Sequence, residues 1–457
     1  MKIMIHDSRI KFLNDEPVHS TGKYVLYWMQ SAQRTRFNHA VEYAIGRANE
    51  LGQPLLVCFG LMDDYPEGNE RGYAFLLEGL RDVRSALEER GILFVVKHGE
   101  SYDAPLKYGK HASLIVCDRN YLRHHKAWRE RVAKQSDRQL VQVETDVVVP
   151  VEVVSDKHEY AARTIRPKIH RQWDAYLCEL PETKLKHPSL KLGIAGDIDV
   201  SDVDAALKKL KLDRSVGRTT RLIGGQVEAG RHLKTFLNEY LDGFADVRNE
   251  PANQRTSLMS AYLHFGNISP LELALAVKNL KGAPQKDRDS YIEELIVRRE
   301  LSMNYCYYVP DYDSYEALPQ WARKTLSEHR NDKREYVYTR HQLEQAKTHD
   351  PYWNAAQIEM TKTGFMHNYL RMYWGKKILE WSSTPKEAFE TTLHLNNKYE
   401  LDGRDANSFA NVAWIFGLHD RPWGPERKIF GLIRYMNAAG LERKFDIDKY
   451  VARVAAM

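Results

Sequence analysis

Residues 23–30 read KYVLYWMQ and residues 54–61 read PLLVCFGL, two short apolar runs without polar alternation. Such runs predict strands buried on both faces. Three more follow: ILFVVKHG (92–99), SLIVCDR (113–119) and LVQVETDVVV (140–149). Between the first two, Phe37, Ala40, Val41, Ala44, Ile45 and Ala48 recur at helical spacing. Between the second and third, Leu76, Leu80, Val83 and Leu87 do the same. Strands alternating with amphipathic helices predict a parallel sheet covered on both sides, an α/β Rossmann-like domain over residues 23–150. Residues 1–22 read as an N-terminal extension.

Outward from that domain the pattern changes. Residues 151–230 carry the basic stretch RTIRPKIHR (163–171) and then a Lys-, Pro- and Gly-bearing segment, and read as an interdomain linker ending near Gly224-Gly225. Beyond it strand signals almost vanish. Leu233, Phe236, Leu237, Tyr240, Leu241 and Phe244 share one helical face, Ser269-Pro270-Leu271-Glu272 reads as a capping box, and helical periods recur at 289–304, 354–381 and 385–395. An all-α domain over 231–457 is expected.

The α/β domain lacks nucleotide fingerprints. It has no GxGxxG and no GxxxxGK[ST], and Ser31-Ala32-Gln33-Arg34 stands where a Gly-rich loop would follow the first strand. An accessory-ligand holder or a purely structural domain fits better than a dinucleotide site. GxSxG and HExxH are also absent, and neither the 18 His nor the four scattered Cys make a metal site. The Cys read as buried thiols of a reducing compartment, and without a leader-like start or a long apolar run a cytoplasmic protein with no membrane span is expected. The net charge of +5 is small and evenly spread, so nucleic-acid binding needs a local patch. The aromatics are unusual: residues 301–400 hold eleven Tyr, four Trp and two Phe. With common hydrolytic and metal signatures missing, the chemistry falls to a cofactor or to these rings.

Three segments carry the functional signal. In RTSLMSAYLHFG (255–266), Thr256, Ser257 and Ser260 put hydroxyls at a helix start, where free N–H groups can meet a phosphate; the same residues also suit a simple cap. In GFMHNYLRMYW (364–374), Asn368 and Arg371 share a face, with Asp402 of ELDGRD (400–405) the natural counter-ion, as a structural salt bridge or more. Trp374 and Trp381 share another face, with Trp353 just upstream; by spacing alone this stripe is core.

Together TSLMSAYL (256–263), GFMHNYLRM (364–372) and DGRDANSFANVAW (402–414) resemble, in order and spacing, the flavin-binding core of the photolyase/cryptochrome family. KHEYAARTIRPK (157–168), EELIVRRE (293–300), KTHDPYWNA (347–355), KKILEW (376–381), LNNKYELDGR (395–404), LHDRPWG (418–424) and IRYM (433–436) are similar to the class II cyclobutane pyrimidine dimer photolyases.

The resemblance implies FAD in the helical domain, active as the reduced anion. Phe244 would pack on it, Thr256, Ser257, Leu258, Met259 and Ser260 would hold its phosphates, and Asn368, Arg371 and Asp402 would flank its ring. Many relatives carry the Asn facing flavin N5 six residues after the Asp, where this chain has Ser408; the class II arrangement puts it six before, at Asn396. Trp353, Trp374 and Trp381, with Tyr373 adjacent, become a hopping chain. Arg248, Asn249, Glu294, Met372 and Trp414 would line the lesion pocket, with Arg298 beside Glu294. Glu294, if protonated, could hydrogen-bond the thymine carbonyls; its plainer reading is a helix carboxylate paired with Arg298. Arg421, Trp423 and Arg434, with Arg427 and Lys428, would contact DNA phosphates and fill the gap left by a flipped dimer.

The expected activity is light-driven repair of cyclobutane dimers in UV-damaged DNA by a monomer, a carbon–carbon lyase. The alternative is a cryptochrome-like photoreceptor. A deazaflavin or folate antenna chromophore is equally open.

Overall fold

The computed structural model describes residues 5–457. Six strands form one sheet: β1 (Ile10–Phe12), β2 (Tyr24–Met29), β3 (Leu55–Leu61), β4 (Leu93–His98), β5 (Ala112–Asp118) and β6 (Leu140–Val143), in the order β1-β6-β5-β2-β3-β4. β2 to β6 run parallel, and β1 pairs antiparallel with β6. Every residue of β2, β3 and β5 is buried, as their unbroken apolar runs require once helices cover both faces.

Two strand expectations need correction. β1 falls inside the stretch expected to be an extension (residues 1–4 of it lie outside the described residues); three residues at a sheet edge, two of them exposed, leave no periodic signal. β6 stops at Val143 because Glu144 takes the Tyr121 hydroxyl and Asp146 pairs with Arg299 at 2.7 Å, so the polar residues after it face partners beyond the sheet. Of the Cys, three are buried as expected, but Cys178 is exposed.

The segment 151–230 divides its apolar residues between two cores. Ala162, Ile165 and Ile169 pack with the helical region, whereas Ile198, Val200, Val203 and Leu207 pack on the sheet side. From Gln226 the chain is helical, with no strand after β6. The expected period 354–381 is two helices, Pro351–Thr363 and Asn368–Trp381, broken at Gly364, whose φ of 71° ends the first in a left-handed turn. Two π-helical turns, Phe236–Tyr240 and Glu293–Arg298, interrupt the α-helical ladder. Ser269 caps its helix by accepting from the Leu271 N–H, while Glu272 pairs with Arg36.

The sheet and the helices meet without a gap at Gly266. A Cβ there would lie 1.7 Å from the Ser31 carbonyl oxygen, and φ is 68°, so only glycine fits. Arg34, 1% exposed, donates to the carbonyls of Gly266 and Thr145 across the same junction. Among the described residues no helix is long and apolar enough to cross a membrane.

Candidate active site

The turn 400–405 brings the polar residues together. Leu401 N–H donates to the Gly364 carbonyl at 2.9 Å, and Arg404 N–H to Asn397 Oδ1 at 3.0 Å, which docks the turn against both neighbouring helices. Asp402 thereby faces Arg371: Nη1 reaches Oδ1 at 2.9 Å and Nη2 reaches Oδ2 at 3.1 Å, a bidentate clamp. Arg371 Nη2 also donates to Glu400 at 3.0 Å, and its Nε to the Met366 carbonyl. Burial opposes the Arg371 charge, but Asp402 and Glu400 outweigh it and hold the group above its ordinary pKa. Burial pushes Glu400 well above the carboxylate range, and its Oε1 has no hydrogen-bond partner among the described residues.

Asn396, 6% exposed, lies on the helix Pro385–Tyr399. Its amide nitrogen donates to Ser408 Oγ at 2.5 Å and to Asn397 Oδ1 at 3.2 Å. The two alternative positions for the family's Asn are thus neighbours in space, and the serine at one orients the asparagine at the other.

Thr256, Ser257 and Ser260 are half-buried around the start of the helix Met259–His264. Leu258 precedes it at φ 57° and offers no side-chain cap, while the first helical N–H, of Met259, donates to Ser257 Oγ at 3.4 Å. Phe244 packs edge-on against Tyr291 and Phe236, ring centroids 5.5 and 5.6 Å away. Asn368 stands exposed at the first turn of the helix that carries Arg371.

The tryptophans form a run in an order that spacing along the chain hides. Trp353 lies between the other two: its ring is 6.4 Å from Trp374, with planes 9° apart, and 5.7 Å from Trp381. Trp374 Nε1 donates to Gln357 at 2.8 Å, and Trp353 Nε1 to the Trp374 carbonyl at 3.0 Å. Tyr338 continues the run 5.5 Å from Trp381, and Tyr336, 39% exposed, reaches the surface beside it. Tyr373 departs from its expected place. Buried with its hydroxyl on Asp350, it makes no ring contact with the three tryptophans among the described residues.

Arg248 Nη1 lies 2.9 Å from Glu294 Oε1, which joins two expected pocket residues. Glu294 is not the partner of Arg298: within the π turn, Arg298 Nε reaches back to Glu293 at 3.1 Å. Asn249 is exposed, and Met372 and Trp414 are half-buried. Arg434 stacks over Trp423 at 4.2 Å and approaches Trp414 at 5.7 Å, while Arg421 covers Trp423 at 4.7 Å. Sequence reading missed Glu400, Gln357 and Tyr338. Glu400 had a signal, as a second carboxylate two residues from Asp402; the other two had none.

A second cleft opens where the strand order reverses, at the carboxyl ends of β2, β3 and β5. Gln30, Ser31, Gln33, Tyr65, His125 and Trp128 line it, with Arg404 and Asp405 from the helical region. Gln30 Nε2, Ser31 Oγ, Gln33 Oε1 and His125 Nδ1 are buried there without hydrogen-bond partners among the described residues. The backbone N–H groups of residues 30–32, which a phosphate loop would present to a ligand, are all taken by the Asp118 carboxylate at 2.6–2.9 Å.

Residues 25–187 match the DNA photolyase family model. The chain is 50% identical over 454 residues to a deoxyribodipyrimidine photo-lyase of Methanothermobacter thermautotrophicus, covering 99% of each chain. It is 38% identical to one of Arabidopsis thaliana, covering 100% of this chain and 94% of that one. Among solved structures it is similar to a class III photolyase of Agrobacterium tumefaciens (TM-score 0.72, 19% identity, 95% and 87% coverage). It is also similar to an archaeal photolyase of Sulfolobus tokodaii described with two FAD molecules (TM-score 0.69, 16% identity, 94% and 89% coverage). The chain belongs to the DNA photolyase family. It is accordingly an enzyme of DNA photorepair.

Proposed function

We propose that the chain is a class II photolyase that reverses cyclobutane pyrimidine dimers with a bound FAD. The carrying observation is Asn396: Ser408 and Asn397 hold its amide nitrogen, which fixes the direction of its carbonyl oxygen. The residues fit a flavin. The half-buried Arg371–Asp402 clamp supplies a fixed cation, Asn396 an acceptor, and the hydroxyls of Thr256, Ser257 and Ser260 at a helix start donors for pyrophosphate. Phe244 and Met259, both buried, would give the cofactor apolar contact.

When bound, reduced and excited by light, FAD would lend the electron that opens the cyclobutane ring and receive it back. Every other task falls to the protein. Arg371 holds positive charge beside the ring, which favours an anionic flavin. Trp414, Met372 and the Arg248–Glu294 pair receive the extruded bases, whose broken pairing lowers the cost of flipping. Trp423, Arg421 and Arg434 contact the duplex. Trp374, Trp353, Trp381 and Tyr338 provide a route of short steps from the interior to the surface for loading electrons. The cleft at the strand reversal suits an antenna chromophore, since its four unpaired polar side-chain atoms ask for a polar, flat ligand.

Illumination of the purified protein with dimer-containing DNA tests the reading. Flavin absorbance with light-dependent loss of dimers is expected. No flavin would overturn the cofactor, and flavin without repair would leave a photoreceptor.

A further inference from the structure

Lys376 is fully buried, with no carboxylate within ion-pair distance among the described residues. Its Nζ donates to the carbonyl of Ile415, the last residue of the helix Ala406–Ile415, and lies 5.1 Å over the Trp414 ring. Gly375 makes this approach possible: a Cβ there would sit 2.2 Å from Ile415 Cδ1, so the two helices touch where the lysine crosses. A methionine would fill the same space without charge. A buried ammonium with one neutral acceptor is a cost to the fold, and the ring beside it is the one that faces the lesion.

We propose that Lys376 is a positioning residue for lesion recognition: by holding the Ile415 carbonyl and facing the Trp414 indole, its ammonium fixes the ring in the orientation that receives the crosslinked bases. The inference rests on Trp414 being the wall of the lesion pocket. The ring contact is the first step of a chain of cations and aromatics. Arg434 faces Trp414 and Trp423 alike, Arg421 covers Trp423, and Asp420 accepts the Trp423 N–H at 3.1 Å. Lys376 therefore links the wall inside the protein to the ring that meets the duplex.

The cation is also titratable. Burial drives the Lys376 pKa down to about 7; the charged groups facing it are Asp420, which raises it, and Arg434, which lowers it further. Because the folded value lies below the unfolded one, the charge weakens the fold at and below neutral pH, and removing it should not cost stability.

The test is dark binding of the flavin-loaded protein to duplexes with and without a cyclobutane dimer, at pH 6 and above pH 8, beside urea unfolding. Lys376→Met should lower the preference for damaged DNA about tenfold at pH 6, the scale of one cation–aromatic contact, with an equal or higher unfolding midpoint. The wild-type preference should fall toward that of the variant at the higher pH, while the variant's own preference stays level. Trp414→Ala should lose the preference more fully. If Trp414→Ala loses it and Lys376→Met keeps it, the lysine inference fails and the wall stands. If both keep it, the wall reading itself fails. A loss in Lys376→Met that only tracks a lower unfolding midpoint would overturn the positioning role.

Discussion

Ser408 accepts a hydrogen bond from the Asn396 amide at 2.5 Å, so two positions twelve residues apart on different helices act as one unit. Ser408→Ala would leave Asn396 Nδ2 with only Asn397 Oδ1. Flavin should still bind, and its photoreduced form should reoxidise in air about fivefold faster, the worth of one hydrogen bond near 1 kcal/mol. Asn396→Ala should exceed that. Unchanged reoxidation in both variants would remove Asn396 from the cofactor's side.

The clamp on Arg371 should be costly to break. Arg371→Met leaves the buried Glu400 and the half-buried Asp402 without their cation, a loss of about 3 kcal/mol, the low end for a buried pair. Urea unfolding should show it, together with loss of flavin on gel filtration. Retained flavin and an unchanged midpoint would contradict the role.

The order of the tryptophans makes a prediction that their numbering does not. Because Trp353 lies between Trp374 and Trp381, Trp353→Phe should slow photoreduction of oxidised flavin as severely as Trp374→Phe, by about tenfold or more, a barrier of roughly 1.4 kcal/mol. Repair by pre-reduced enzyme should be nearly unaffected. A direct path from Trp374 to Trp381 would leave Trp353→Phe silent.

His367 caps the helix of Arg371 by accepting from the Tyr369 N–H at 3.2 Å. Burial lowers its pKa to about 4, with Arg371 adding to the effect and Glu359 opposing it. The folded value lies below the unfolded one, so this contribution is complete above about pH 6.5 and is lost as pH falls toward 4, roughly 2 kcal/mol at pH 5. His367→Asn keeps a capping acceptor and removes the titration. Unfolding between pH 5 and 7 should become less pH-dependent, and an unchanged slope would refute the assignment.

Glu294→Ala should lower the yield of dimer repair about tenfold, the scale of a lost interaction in the lesion pocket, without releasing flavin. A normal yield would make the Arg248–Glu294 pair a surface contact only.

Much of this was legible before any coordinates. Unbroken apolar runs announced the parallel sheet because only strands covered on both faces can carry them, and Arg371 with Asp402 stood out through motif order. Hidden features depend on how helices cross. The break at Gly364 turns one expected helix into two and lets Trp353 slip between Trp374 and Trp381. Nothing in the pair Lys376-Lys377 announces that Lys376 is fully buried. Gln357 meets Trp374 only where two helices pack, and Glu400 meets Arg371 only when the turn at 400–405 folds back.

The π turn at Glu293–Arg298 carries a consequence of a different kind. One extra residue in a turn rotates everything after it by about 100° relative to an α-helix, and here it pairs Arg298 with Glu293 and leaves Glu294 to Arg248. The phasing of the whole segment is therefore counted in residues rather than in side-chain types. Substitutions along it can be absorbed one at a time, but a single-residue deletion would restore the ordinary winding, exchange the partners of both carboxylates and turn Glu294 away from Arg248.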